Sequence, residues 1–131
     1  MNRWKTSKTA VYNLSYHLIW CPKYRRPVLT DEIEKKLEEL LYFKAQQINI
    51  EIVEANIMPD HVHLFIKTGP NLAPQFVVNQ LKGYTSRLLR QLFPKLKSRL
   101  PTLWTRSYYI DSVGKLNEYT IRKYVQNQKN K

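Results

Sequence analysis

Hydrophobic residues in this chain fall on alternate positions, then on a helical stripe, then on alternate positions twice over, then on a stripe and on alternate positions again. That order limits what the chain can build more than any single residue does. The first alternating stretch covers residues 10–20, with Tyr12, Leu14, Tyr16, Leu18 and Trp20 on one face and Asn13, Ser15 and His17 on the other. A basic loop, Cys21-Pro22-Lys23-Tyr24-Arg25-Arg26-Pro27, leads to a helix capped by Thr30 or Asp31, with Ile33, Leu37, Leu40, Leu41 and Ala45 as its stripe. Strands are expected over 50–58 and 61–68, joined by a tight Pro59-Asp60 turn. Gly69-Pro70-Asn71 then breaks the chain, and Pro74 suits the first turn of a long helix. Its stripe is Val77, Val78, Leu81, Tyr84, Leu88 and Leu92, ending before Pro94. A basic connection reaches Pro101, a fourth strand is expected over 103–113, Gly114 breaks it, and Asn117 caps a last helix from Glu118 to about Gln128.

The order is βαββαβ plus one helix. Short connections make a ferredoxin-like, RRM-like α+β sandwich the economical solution: an antiparallel sheet with helices on one face, followed by a C-terminal helix. The first and third strands then lie in the middle of the sheet, and its second face is free for a substrate or a partner. No internal repeat or Gly/Ser linker divides the chain, so a single domain over 1–131 is expected. No apolar run approaches the ~20 residues that cross a bilayer, and the start of the chain lacks the apolar core of a signal peptide. Cys21 is the only cysteine, which excludes a disulfide framework and a Cys-rich zinc site. A cytoplasmic protein is the expectation, with Cys21 as a small packed residue at a strand end.

Charge narrows the partner. Lys and Arg number 22 against 10 Asp and Glu, a formal net charge of +12. Seven of the acids lie between Asp31 and Glu54, whereas Gly69 to Ile110 holds none and carries Lys82, Arg87, Arg90, Lys95, Lys97, Arg99 and Arg106. Such a one-sided field attracts a polyanion, because each neutralised phosphate releases condensed counterions. Nine tyrosines and three tryptophans add faces on which unpaired bases can stack.

The chemistry-bearing residues cluster late in the pattern. In His61-Val62-His63-Leu64-Phe65-Ile66, alternation sends Val62, Leu64 and Ile66 to the core. His61 and His63 go together to the other face, Cα atoms roughly 6.6 Å apart, where two imidazoles can lean onto one cation. On the last helix Tyr124 and Gln128 stand at i and i+4, about 6 Å apart along the axis. Tyrosine is a possible nucleophile and a glutamine carbonyl a possible metal ligand, although Ile121 and Val125 beside Tyr124 equally suit a core stripe.

Four ordered segments together resemble the IS200/IS605 family of transposases. They are Tyr16-His17-Leu18-Ile19-Trp20-Cys21-Pro22-Lys23-Tyr24-Arg25-Arg26, Met58-Pro59-Asp60-His61-Val62-His63-Leu64, Trp104-Thr105-Arg106-Ser107-Tyr108-Tyr109 and Tyr124-Val125-Gln126-Asn127-Gln128. The resemblance implies a single-tyrosine nuclease of the His-hydrophobe-His class that cuts and rejoins single-stranded DNA at the ends of an insertion element. Tyr124 would be the nucleophile, forming a 5′-phosphotyrosine, and His61, His63 and Gln128 would hold Mg²⁺ or Mn²⁺. It also implies a homodimer in which the tyrosine helix of one subunit serves the histidines of the other, and recognition of hairpins at the element ends. Arg25, Arg26, Arg87 and Arg106 are candidate DNA contacts, with His17 and Asp60 as candidates to support the metal ligands. No nucleotide cofactor is expected, in keeping with the lack of a GxxxxGK[ST] loop.

Three rivals are weaker. A non-catalytic RRM-like nucleic-acid-binding module should carry an aromatic, glycine-containing third strand, and this one has histidines and no glycine before Gly69. A rolling-circle replication-type nuclease or relaxase shares the chemistry but is usually larger. A zinc hydrolase lacks a His-Glu-x-x-His helix or a third His or Cys nearby.

Overall fold

The structure, a computed structural model, describes residues 14–112 and 118–128, with 118–122 described by backbone alone. Its elements are β1 (Leu14–Trp20), α1 (Asp31–Gln47), β2 (Glu51–Met58), β3 (His61–Thr68), α2 (Pro74–Leu92), α3 (Lys95–Arg99), β4 (Tyr109–Ser112) and α4 (Glu118–Asn127). The strands form one sheet in the order β2-β3-β1-β4, all neighbours antiparallel. This is the expected α+β sandwich, with β1 and β3 central. The expected start of the first strand over 10–13, the break at Gly114 and the cap at Asn117 lie outside the described residues.

Alternation on β3 is complete: Val62, Leu64, Ile66 and Thr68 are buried while the residues between them are half-exposed. Leu18 and Trp20 of β1 and Ile52 of β2 join them, and the stripes of α1 and α2 close over that face to make the main core. Burying one such aliphatic side chain contributes roughly 1.5–3 kcal/mol, so this face supplies most of the stability.

Two expectations are corrected. The fourth strand is shorter than the stretch 103–113, because Trp104 makes only an isolated bridge to Pro22 and regular pairing with β1 begins at Tyr109. The α2 stripe is Val77, Val78, Leu81, Thr85 and Leu89, while Leu92 is 53% exposed. Thr85 enters the core because its hydroxyl is satisfied there, donating to Leu81 O at 2.7 Å and accepting from Trp104 Nε1 at 3.1 Å. That turns the buried face onto Thr85 and Leu89, leaving Tyr84 and Leu88 packed at its border. The basic connection after Pro94 also contains the short α3, pinned by buried Leu96.

The second face of the sheet is not wholly open. Ile19, Cys21 and Val125 form a separate buried cluster, with Tyr109 and Tyr124 packed against it. So α4 lies on the face opposite α1 and α2.

Candidate active site

Strand register builds the site. His63 pairs with Ile19 of β1, and Ile19 pairs with Tyr109 of β4. Directly opposed residues share a face, with Cβ atoms about 5 Å apart. His63, Ile19 and Tyr109 therefore form a row, with Val125 packed on Ile19, and the tyrosine helix sits one strand away from the histidine pair of its own chain.

Each histidine has a partner. His61 Nδ1 lies 3.0 Å from Asp60 Oδ1 in the turn between β2 and β3. A carboxylate there fixes the tautomer with Nδ1 protonated, leaving the Nε2 lone pair free for a cation. His63 Nε2 lies 3.2 Å from His17 Nδ1, and His17 stacks on Phe65 with ring centroids 5.1 Å apart. Burial, with His17 and His61 nearby, lowers the His63 pKa from its ordinary value and holds the ring neutral. Both expected supporting residues, His17 and Asp60, thus touch the pair.

Tyr124 and Gln128 are brought together, but on Ser107. Ser107 Oγ donates to Gln128 Oε1 at 2.8 Å and lies 3.1 Å from Tyr124 Oη. Gln128 is buried, at 4% exposure, and its Nε2 donates to Tyr124 O at 3.4 Å. Burial is the main cause that pushes the Tyr124 phenol up to about 12. The phenol is neutral near pH 7.

The donor set suits a divalent ion in part. Imidazole ligates a metal in its neutral form, which the lowered pKa of His63 favours, whereas the Gln128 carbonyl is engaged by Ser107. Among the described residues, no group of three or more His, Cys, Asp and Glu converges on one point.

The four arginines separate. Arg25 is tied down: its Nε is 3.3 Å from Asp60 Oδ2 and its Nη1 donates to Val125 O at 3.4 Å. It thereby links the tyrosine helix to the carboxylate that orients His61. Arg106 is exposed and lines a cleft of about 220 Å³ with Lys23, Thr105 and Ser107. Arg26 is exposed and lines a larger groove, about 370 Å³, with Arg99. Arg87 lies on the exposed side of α2, its guanidinium 5.8 Å from the Tyr84 ring centroid.

Sequence reasoning missed Ser107 and Lys82. The Lys82 ammonium donates to Thr105 O at 2.7 Å, Ser107 O at 3.1 Å and Arg106 O at 3.4 Å. The signal for Ser107 was the Trp104–Tyr109 segment, which carried the resemblance without suggesting a role, and Lys82 stood only among the basic residues of the acid-free stretch.

Comparison with known proteins adds independent support. A family profile described as "Transposase IS200 like" matches residues 10–128. ISDra2 transposase TnpA of Deinococcus radiodurans is 39% identical over 129 residues, 97% of this chain and 92% of the relative. The transposase for insertion sequence element IS200 of Salmonella typhimurium is 33% identical over 119 residues, 89% of this chain and 78% of the relative. A crystal structure described as a candidate transposase from Deinococcus radiodurans superposes with a TM-score of 0.88 at 38% identity, over 95% of this chain and 97% of that one. A REP-associated tyrosine transposase bound to a REP hairpin matches with a TM-score of 0.58 at 14% identity, over 92% of this chain and 68% of that one, a likeness of fold.

Proposed function

Because the chain belongs to the IS200-like transposases, we propose that it cuts and rejoins single-stranded DNA at the ends of its insertion element, with Tyr124 as the nucleophile. The observation that carries this is the placement of α4 on the histidine-bearing face, where Val125 packs on Ile19, the direct neighbour of His63.

In this reading Tyr124 Oη attacks the scissile phosphorus and the bond to the 3′ oxygen breaks. The products are a 5′-phosphotyrosine and a 3′ hydroxyl, which takes up a proton as the phenol gives one away. Rejoining reverses the step with another 3′ hydroxyl, so the covalent bond conserves the energy and no nucleotide cofactor is required. His61 and His63, with Gln128 once its carbonyl leaves Ser107, would hold Mg²⁺ or Mn²⁺. Such an ion supplies positive charge to the phosphate and the leaving oxygen when bound. Asp60 keeps His61 in the ligating tautomer, and His17 supports His63. The net charge of +12 favours the strand electrostatically. Hairpin recognition and a homodimer belong to the same reading; completing the sites in trans would require α4 to leave its present place beside the histidines of its own chain.

The test uses single-stranded oligonucleotides copied from the DNA flanking the gene, incubated with Mg²⁺ or Mn²⁺. A denaturant-resistant protein–DNA adduct is expected on single but not double strands, and is expected to vanish in Tyr124→Phe. An adduct that survives Tyr124→Phe would overturn the assignment.

A further inference from the structure

We infer that Ser107 is the positioning residue of the tyrosine helix: one hydroxyl ties both the Tyr124 phenol and the Gln128 carboxamide to a loop that α2 anchors. The inference rests on the reading of Tyr124 as nucleophile.

Counting hydrogens gives the direction of each bond. Ser107 has one hydroxyl proton and donates it to Gln128 Oε1 at 2.8 Å. Its contact with Tyr124 Oη at 3.1 Å is therefore made with the phenol as donor. The two helix residues are one turn apart, so a single hydroxyl between them meets both side chains. Rotating α4 by one residue, about 100°, takes both away from it. Ser107 thus specifies the rotation of α4 as well as the reach of the phenol.

An exposed serine on irregular backbone would be a poor reference point unless that backbone were held. Here it is held several times over. The Lys82 ammonium donates to three successive carbonyls, those of Thr105, Arg106 and Ser107. Thr105 N donates to Cys21 O at 3.0 Å, and Thr105 Oγ1 to Ser107 O at 3.3 Å. Trp104 Nε1 donates to Lys82 O and to Thr85 Oγ1, both at 3.1 Å. The position of the phenol is therefore set by α2, on the far side of the sheet, through a loop with little freedom of its own.

The test compares the full chain with Ser107→Ala, Ser107→Thr and Tyr124→Phe. Amide hydrogen exchange of α4 is followed in metal-free protein. Single-turnover adduct formation is then measured against oligonucleotide concentration. In Ser107→Ala the α4 amides of metal-free protein should exchange at least about tenfold faster, since both bonds are lost. The maximal adduct rate should fall about tenfold, the worth of the Tyr124 bond alone, because Gln128 leaves Ser107 when the metal binds in our reading. The half-saturating oligonucleotide concentration should stay unchanged, and Ser107→Thr should recover both rates. Wild-type exchange and a wild-type maximal rate in Ser107→Ala would overturn the inference. So would a loss confined to the half-saturating concentration, which would make Ser107 a DNA contact. Survival of the adduct in Tyr124→Phe would overturn the nucleophile assignment instead, while the exchange measurement still decides the tether.

Discussion

Lys82→Met isolates the anchor of the 104–107 loop, since methionine keeps the apolar stem and removes only the ammonium. The wild-type Nζ makes a 2.7 Å half-buried bond to Thr105 O and two more exposed ones at 3.1 and 3.4 Å. A hydrogen bond to a charged group is worth about 1.5–3 kcal/mol, so the short bond counts near the middle of that range and the exposed pair add less. The ammonium also lies 5.8 Å from the Tyr108 ring centroid, worth about 0.5 kcal/mol at such a site. Against these stands desolvation, which pushes the Lys82 pKa down from 10.5 to about 8. Burying the charge returns some of the gain, leaving a net loss of about 2 kcal/mol on substitution. With a urea slope of about 2 kcal/mol/M, the unfolding midpoint should fall by about 1 M. Lys36→Met is the control: its pair with Glu39 is exposed, at 38% and 70%, and should contribute under about 0.5 kcal/mol. Equal midpoints for the two variants would refute the claim that Lys82 holds the loop. The pH dependence has a definite sign. Between pH 8 and 10.5 the unfolded chain keeps the proton that the folded protein has released, so wild-type stability should rise with pH relative to Lys82→Met. A gap that narrows over that window would show that burial does not depress this lysine.

His63→Ala should abolish adduct formation while leaving hairpin binding within about twofold, because in our reading phosphate is met by basic residues elsewhere; equal loss of both, in gel-shift and adduct assays, would assign His63 to the fold. Arg25→Gln should lower the adduct rate about tenfold, as expected for loss of a charge-assisted bond, with little change in the salt dependence of binding. A slope reduced by about one charge would make Arg25 a phosphate contact instead. The Cys21 thiol is fully buried and pushed up to about 12, so iodoacetamide at pH 8 should leave native protein unlabelled and modify it only in denaturant; rapid native labelling would contradict the packing of α4 over Ile19 and Cys21.

Where period and punctuation are strong, as in β3, α1 and the Pro59-Asp60 turn, the elements follow from the amino-acid pattern. Local alternation also placed His61 and His63 on the face away from the core. It failed where a polar group is satisfied by something distant in the chain. Thr85 looks unfit for a core until Trp104 supplies its partner, and residues 103–108 look like strand although the carbonyls of Thr105, Arg106 and Ser107 face Lys82. The bonds of Arg25 could not be anticipated either, because its two acceptors, the Asp60 carboxylate and the Val125 carbonyl, lie far off along the chain. Ser107 was invisible for the same reason: nothing local marks a serine that closes on a helix seventeen residues later.

Among the described residues the apolar packing falls into two unequal clusters on opposite faces of the sheet, which should open at different cost. The larger cluster needs β1 to β3 and the two long helices; the smaller needs only α4 and a few residues beneath it. Detaching α4 gives up the burial of Val125 and its neighbours together with a handful of polar bonds, a few kcal/mol at most. Global unfolding gives up every contact in the main core. The catalytic tyrosine of our reading thus sits, of the two described clusters, on the one whose opening costs less. A protein built this way can exchange the surroundings of its nucleophile many times without once risking the sheet that holds the histidines.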